Sequence, residues 1–176
     1  AGLVWLNPDG VRFWKEGSDA AHAYFTTDQN TIYCVANQAL LDNVDILYYG
    51  NYGTFVTDSN NEEVNRMAEE GKVIFKGDTI EEAAEKAGLD PAVVAEEIAK
   101  YNEYCANGVD EAFGKAEASL IPLEEGPFYI FETIPNVKNT YGGLVIDDCA
   151  RVLNAEGEPI VGLYAAGETA GNYNIV

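Results

Sequence analysis

The sequence predicts an α+β fold that gives way to a β-rich segment after about residue 135. β-branched and aromatic runs at residues 31–35 and 128–134 are typical of strands. Between these runs, apolar residues recur at helical spacing in residues 79–108, with capping residues at both ends of the pattern. Short apolar runs separated by turn residues follow at 143–146, 150–153 and 163–166.

The first quarter of the sequence predicts a hairpin and a short helix. Residues 3–6 and 11–14 are mainly apolar and flank residues 7–10, where proline stands second and glycine fourth, as in a type I turn. A short helix is expected over residues 19–25, before the strand at 31–35. Residues 43–60, rich in tyrosine and glycine, fit either a packed aromatic loop or a pair of strands.

Two helices joined by a glycine are predicted in the central part of the chain. Thr79 is placed to cap the Glu82 amide, and Glu82 to reach back to the start of the first helix, which ends near Gly88. Asp90 and Pro91 then supply an N-cap and a first helical residue.

The second of these helices is predicted to be amphipathic. Val94, Ile98, Tyr101 and Cys105 lie three or four positions apart and therefore share one face, while Gly108 ends the helix. The acidic residues on the other faces are expected to be solvated. A further acidic helix and a short strand are expected at residues 61–70 and 73–75.

Composition excludes several classes of function. The 176 residues include 30 acidic and 10 basic ones, and the formal net charge of −20 disfavours binding to nucleic acid or to an anionic membrane surface. No apolar run approaches the roughly 20 residues of a membrane span. The start of the sequence shows no signal peptide. A hydrophobic content of 47% is sufficient for a folded core.

Several kinds of catalytic site are not expected either. The three cysteines are widely spaced, so neither a disulfide framework nor a zinc site is predicted, and buried thiols are expected. His22 is the one histidine and has no partners at ligand spacing, so it is interpreted as an ordinary helix residue and no metal is expected. Neither a G-x-G-x-x-G motif nor a P-loop occurs.

Glycines near the end of the sequence are its most informative feature. Gly142 and Gly143 form a pair, and the small residues of 162–171 surround Gly167 and Glu168 at the end of a predicted strand. Glycine lets the backbone approach a ligand closely, and a glutamate there can accept hydrogen bonds from the hydroxyls of a sugar or polyol. A tight strand-to-helix turn with an exposed glutamate explains the same pattern.

At these residues the sequence resembles the flavoprotein subunits of fumarate reductases and succinate dehydrogenases, especially the flavocytochrome c type. That family carries a His-His-Thr-Met-Gly-Gly-Leu run and then a G-x-P-I-x-G-L-Y-A-A-G-E stretch. Here residues 138–144 read Lys-Asn-Thr-Tyr-Gly-Gly-Leu, and residues 157–168 match the second motif throughout. The predicted helical pair and residues 10–13, similar to a G-K-R-F hairpin of the family, extend the resemblance.

The resemblance implies two domains and a flavin. Residues 1–135 look like a fumarate reductase-like capping domain with a helical hairpin and a small sheet, and residues 136–176 like part of an FAD-binding domain. FAD is implied for a longer parent protein, with the cofactor-binding residues Gly142, Gly143, Gly167 and Glu168. The family's N-terminal ADP-binding turn and final helix are missing from the sequence, so we expect a piece of a larger enzyme that does not hold FAD tightly by itself.

The sequence departs from the family at the substrate site. Lys138 and Asn139 stand where the family has two histidines, one of which binds a substrate carboxylate, and they are the predicted substrate-binding residues. Tyr141 replaces the methionine beside the glycine pair and is the predicted catalytic residue, as a proton donor or hydrogen-bond partner. Packing of Tyr141 on the flavin and a surface position for Lys138 are the alternatives. The residues that follow strand 31–35 lack the family's proton-donor arginine.

The function implied is hydride transfer between a flavin and an activated C=C or CH–CH bond of a small molecule. The missing histidines and arginine argue against fumarate itself. One alternative is an enzyme like a 3-ketosteroid dehydrogenase, or another enone-acting flavoenzyme, with a neutral pocket drawn from Tyr48, Tyr49 and Tyr52. The other is a non-catalytic acidic interaction module with the capping fold. The rest of the FAD-binding domain and an electron-donor protein are candidate partners, and the family occurs in both cytoplasm and periplasm.

Overall fold

A computed structural model describes residues 2–17, 20–27, 30–42, 60–135 and 142–171. The chain divides into two units, Ala1–Pro135 and Asn136–Val176, called here the N-terminal unit and the C-terminal unit. That the first is a capping domain and the second part of an FAD-binding domain stays a prediction. The stretch interpreted as either a loop or two strands lies outside the described residues, except for its last residue.

The N-terminal unit combines a four-stranded antiparallel sheet with helices, which confirms the α+β prediction. Its strands are β1 (Val4–Leu6), β2 (Ile32–Asn37), β3 (Ile74–Gly77) and β4 (Phe128–Thr133), in the spatial order β1-β2-β4-β3. Its described helices are α1 (Ala20–Phe25), α2 (Gln38–Asp42), α3 (Asn60–Glu70), α4 (Ile80–Lys86) and α5 (Pro91–Asn107). A 3-10 turn follows at Glu117–Ser119. Among the described residues, no helix is both long and apolar enough to cross a membrane.

Strands β2 and β4 form the centre of the core. They pair antiparallel along their whole length, and β3 pairs with the other side of β4. In β2 every residue except Tyr33 is buried, and Tyr129 and Ile130 of β4 are completely buried. Because full burial of one large apolar side chain contributes roughly 1.5–3 kcal/mol, this strand pair supplies much of the stability of the unit.

Helix α4 begins at the predicted cap. The Thr79 side chain accepts a hydrogen bond from the Glu82 amide at 3.2 Å. Glu82 reaches one residue further back than a capping box requires, because its carboxylate accepts from the amide of Asp78 at 2.9 Å. The helix ends before Gly88, whose φ of +75° lies in the left-handed region that glycine adopts without strain.

Helix α5 also matches its prediction. The Asp90 carboxylate accepts from the amides of Ala92 and Val93 at 2.9 and 3.3 Å, and Pro91 is the first helical residue. Gly108 caps the other end with a φ of +69°. The predicted apolar face consists of the buried Val94, Ile98 and Tyr101 and the half-buried Cys105.

The predicted N-terminal hairpin is smaller than expected. Its turn forms, since the Gly10 amide donates to the Asn7 carbonyl at 2.9 Å, but residues 11–14 make no strand and a single residue pair, Leu6 with Arg12, joins the two arms. The second arm is held against α5 instead, because the Arg12 amide, which faces away from Leu6 in this pair, donates to the Glu97 carboxylate at 3.2 Å.

The three cysteines differ in exposure. Cys34 is buried in β2, and loss of hydration raises the pKa of its thiol to about 12. Cys105 is half-buried, and Cys149 is exposed. The prediction of buried thiols is therefore wrong for Cys149, because that residue lies in the turn before a strand of the C-terminal unit, where little chain covers it.

The described part of the C-terminal unit is built on two antiparallel strands, β5 (Arg151–Leu153) and β6 (Pro159–Tyr164). β6 begins earlier than the predicted strand at 163–166. The strand predicted at 143–146 is reduced to two bridging residues, Leu144 and Ile146. A 3-10 turn at Gly167–Thr169 follows β6.

Candidate functional site

Some of the predicted site residues lie outside the described part of the chain. They are Lys138, Asn139 and Tyr141, together with Tyr48, Tyr49 and Tyr52 of the alternative pocket. Their roles in substrate binding and catalysis stay predictions.

The predicted cofactor-binding residues come together in the C-terminal unit. Leu144, directly after the glycine pair, bridges in parallel to Ala170. The Leu144 amide donates to the Thr169 carbonyl, and the Gly171 amide donates to the Leu144 carbonyl, both at 2.8 Å. The glycine pair and the turn that contains Gly167 and Glu168 are therefore joined by backbone hydrogen bonds, although they lie far apart in the sequence. We call this contact the joint.

The joint requires glycine at two positions, Gly143 and Gly171. A Cβ on Gly143 would lie 2.5 Å from the Thr169 carbonyl oxygen, and one on Gly171 would lie 2.7 Å from the Gly143 backbone. Any side chain at either position would push the two segments apart. The close approach at Gly143 is thus between two parts of the chain, whereas the sequence analysis associated it with a ligand. Gly171 was not predicted as a site residue, and its only sequence signal is its place among small residues.

The other predicted residues at this joint have more open surroundings. Gly167 has a φ of +63°, so its turn requires the left-handed conformation, and Glu168 is exposed. No described atom lies within 4 Å of the Cβ position of Gly142 or of Gly167. The backbone at these two glycines is exposed, with open space at the Cβ position. An exposed turn with a glutamate is the alternative that the sequence left open.

The turn that supports this joint is held by an ion pair. One Asp147 oxygen accepts from the amides of Cys149 and Arg151 at 3.0 and 2.9 Å, and the other accepts from Nε of Arg151 at 2.7 Å. These hydrogen bonds, first of all that of the guanidinium, lower the pKa of the Asp147 carboxyl. Asp147, Asp148 and Cys149 lie close enough to share a metal ion, but the Asp147 carboxylate is already bound within the turn.

The N-terminal unit contains a cluster of buried charges that the sequence did not indicate. Arg12 donates to Glu16 from Nε and Nη2 at 2.8 and 2.7 Å, and to Asp110 from Nη1 and Nη2 at 3.0 and 2.7 Å. Lys115 Nζ lies 3.5 Å from Glu16 Oε2. These side chains are at most 4% exposed, and we call them the buried ion cluster. Residues 98 positions apart carry no shared sequence signal.

Electrostatics in the cluster keep Asp110 ionised. Burial by itself raises the pKa of its carboxyl, but the hydrogen bonds from Arg12 and from the amides of Lys115 and Phe113 outweigh burial and lower the pKa to about 2. For Lys115 burial prevails over the attraction of Glu16, and the pKa of its ammonium group is lowered. Two cations and two anions of the cluster therefore neutralise one another in the interior, an arrangement suited to holding structure.

The comparisons with known proteins agree with the motifs in the C-terminal unit. The model of the family described as FAD binding domain matches residues 1–176. The chain is 36% identical over 180 residues to the vinyl phenol reductase of Lactiplantibacillus plantarum, covering 96% of this chain and 36% of that protein.

Two solved structures match most of the length of this chain. The open conformation of a flavocytochrome c3 fumarate reductase matches with a TM-score of 0.74 and 29% identity, over 97% of this chain and 27% of the other. The 3-ketosteroid Δ1-dehydrogenase from Sterolibacterium denitrificans, in complex with 1,4-androstadiene-3,17-dione, matches with a TM-score of 0.66 and 25% identity, over 96% and 33%. These matches confirm the resemblance to the fumarate reductase flavoproteins. The chain belongs to the FAD binding domain family.

Proposed function

We propose that this chain is part of an FAD-dependent oxidoreductase that transfers hydride between the flavin and a C=C or CH–CH bond of a small molecule. In this proposal the N-terminal unit is the capping domain, and the C-terminal unit contributes to the FAD-binding domain. The observation that carries the proposal is the joint between the glycine pair and the Gly167–Thr169 turn, in a chain that belongs throughout to an FAD-binding family. The names of the reductases it resembles support the same reaction class.

The residues present fit a flavin nucleotide. Open backbone at Gly142 and Gly167 would lie against the cofactor, and the exposed Glu168 carboxylate would accept hydrogen bonds from its hydroxyl groups. Gly143 and Gly171 would serve indirectly, by allowing the two segments to pair. When bound, the flavin supplies the hydride chemistry, and the protein contributes position, exclusion of water and protons.

The surface of the C-terminal unit supports its role as part of a larger domain. Val161 is fully exposed and Tyr164 is 65% exposed, and the whole of β6 lies at the surface. Contiguous exposed apolar side chains mark a surface that another part of a protein covers. We assign that cover to the rest of the parent's FAD-binding domain.

The substrate site is proposed to differ from that of a fumarate reductase. Lys138 and Asn139 would bind at most one substrate carboxylate, and Tyr141 would donate a proton or a hydrogen bond to the substrate. The substrate class is therefore an unsaturated compound with less negative charge than a dicarboxylate. Replacing Tyr141 by phenylalanine in the parent enzyme should lower turnover, and an unchanged rate would remove Tyr141 from the mechanism.

A second candidate is oxidation of a steroid-like or other cyclic ketone. The similarity to the 3-ketosteroid dehydrogenase structure favours it, because that protein is solved with a steroid dione bound. In the first candidate an unsaturated compound is reduced, whereas in this one a larger, cyclic ketone is oxidised.

The test is a visible spectrum of the protein expressed from the complete reading frame. Flavin bands that are released on denaturation should appear, and bleaching of a reduced viologen dye by unsaturated acids, vinyl phenols or enones would identify the substrate class. Reduction of an artificial acceptor by 3-ketosteroids would instead favour the second candidate. A folded, colourless protein that takes up no added FAD would contradict both and leave the non-catalytic interaction module.

A further inference from the structure

Strand β1 is an edge of the sheet in the N-terminal unit, and within the described part of the chain β2 is the one strand beside it. On the other side of β1, the described backbone pairs with it at Leu6, through the isolated bridge to Arg12. Val4 lies opposite Val35, Trp5 opposite Cys34 and Leu6 opposite Tyr33. Along an antiparallel edge strand, residues that bond to the neighbour alternate with residues whose backbone groups face away. The contacts of Trp5, and of Leu3 directly before the strand, identify them as the residues whose backbone groups face away from β2.

Two buried side chains form hydrogen bonds with the backbone groups that face away from β2. The Trp5 amide donates to Oε1 of Glu16 at 3.1 Å. The Leu3 carbonyl accepts from Nζ of Lys115 at 2.8 Å. Both bonds join the backbone to side chains, Glu16 and Lys115, that are 4% and 1% exposed.

Burial makes these bonds necessary. Trp5 and Leu3 are 6% and 9% exposed, so water does not readily reach their backbone groups. A buried amide or carbonyl without a partner loses its hydration without compensation. A neighbouring strand is the usual partner, and at β1 a carboxylate and an ammonium group stand where its carbonyl and amide would be.

The rest of the buried ion cluster holds these two groups in place. Arg12 donates two hydrogen bonds to the Glu16 carboxylate. Lys115 donates to the Tyr101 hydroxyl at 3.1 Å, and its own amide donates to Asp110 at 3.0 Å. The charges are thereby balanced around the edge of the strand.

We propose that Glu16 and Lys115 replace a neighbouring strand at the edge of β1, so that the sheet ends there and is closed to pairing with a second copy of the chain. Unpaired edges are the places where sheets add strands from other molecules. In this unit the edge is closed by buried charges supplied from residues 16 and 115, and the proposal does not depend on the flavin chemistry.

Amide exchange measured residue by residue tests the hydrogen-bond part of the proposal. In Glu16→Ala, exchange at Trp5 should accelerate about tenfold or more relative to Val4 and Leu6 in the same molecule, the size expected for loss of a bond to a charged group. Comparison within one molecule cancels a general loss of stability. Glu16→Gln keeps an acceptor oxygen and should leave the ratio near that of the unaltered chain.

Asp110→Asn is the matched control, since Asp110 belongs to the same cluster but forms its hydrogen bonds with Arg12, Lys115 and residues 112–113 rather than with β1. It should leave the ratio unchanged even where the chain becomes less stable. If Asp110→Asn and Glu16→Ala change the ratio equally, or if Glu16→Gln behaves like Glu16→Ala, the cluster acts through its overall charge and the proposal is wrong.

Light scattering over a range of chain concentrations tests the closure. The double variant Glu16→Ala with Lys115→Met should shift towards twice the mass at concentrations where Asp110→Asn keeps the mass of the unaltered chain. Both variants retain the exposed β6 surface, so association through that surface cancels. A folded double variant, judged by circular dichroism, with the same mass as the control would contradict closure of the edge.

Discussion

The two units differ in how far each one buries its own apolar side chains and neutralises its own charges. The N-terminal unit buries large residues such as Tyr101, Tyr129 and Ile130 completely, and it neutralises its interior charges in one cluster. Among the described residues of the C-terminal unit, only Val152, Ala165 and Ala170 are buried apolar residues.

This difference indicates that the C-terminal unit depends on the rest of the parent protein for its stability. A short segment has too much surface for its volume to bury a core, whereas a unit of more than a hundred residues has enough chain to do so. We therefore expect the N-terminal unit to resist unfolding in this chain, and the C-terminal unit to gain stability only within the parent. The following variants test this contrast, beginning with the largest expected effect.

Arg12→Met should destabilise the N-terminal unit most. It leaves Asp110 buried without its cation and Glu16 with Lys115 alone, and breaking a buried ion pair from one side costs about 3–5 kcal/mol. Urea unfolding followed by tryptophan fluorescence measures the effect, because both tryptophans, Trp5 and Trp14, lie in this unit. The exposed ion pair of Arg66 with Glu70 gives the control, and Arg66→Met should cost less than about 1 kcal/mol. Equal costs would mean that burial of the cluster contributes nothing.

Ile98→Ala and Val161→Ala compare apolar residues of the two units directly. Ile98 is buried on the face of α5, and its truncation should cost about 2–5 kcal/mol. Val161 is fully exposed, so its truncation in this chain should change the free energy of unfolding by less than about 0.5 kcal/mol. Within the parent the Val161 variant should become costly. A large cost already in this chain would show that β6 is covered here.

Lowering the pH should reduce the free energy of unfolding of the N-terminal unit, because Asp110 becomes protonated. The pKa of this carboxyl is about 2 in the folded chain and about 4 when unfolded, so its contribution is complete above pH 4 and is lost as the pH falls towards 2. The shift corresponds to about 2 kcal/mol. Unfolding free energies measured between pH 5 and 2 should fall less steeply in Asp110→Asn. The same slope in both proteins would contradict the low pKa.

Gly143→Ala should act only in the C-terminal unit. Its Cβ would meet the Thr169 carbonyl at 2.5 Å and force the two segments apart, at a cost of about 1–3 kcal/mol for overpacking. Amide exchange at Leu144 and Gly171 should accelerate, while urea unfolding of the N-terminal unit stays unchanged. Gly142→Ala is the matched control, because no described atom lies near its Cβ position. Equal exchange in the two variants would refute the close approach.

Much of the local structure could be predicted from residues that are neighbours in the sequence. The caps at Thr79 and Asp90 and the glycine ends of the helices follow from hydrogen bonds that span only a few residues. The N-terminal hairpin was predicted less well, because beyond the single pair with Leu6 its second arm bonds to Glu97 and Asp110, which are distant in the sequence. Glycine placement near the end of the chain indicated the candidate site, but not that Gly143 packs against Gly171.

By itself the sequence determined the helical pair, the strand runs and the family, since periodicity, caps and motifs are properties of short stretches of chain. Only the tertiary structure decided that Arg12, Glu16, Asp110 and Lys115 meet in the interior, and that two of them close the edge of β1. These contacts join residues as many as 112 positions apart. A charged residue is ordinarily solvated, and its burial depends on partners that the fold alone brings near.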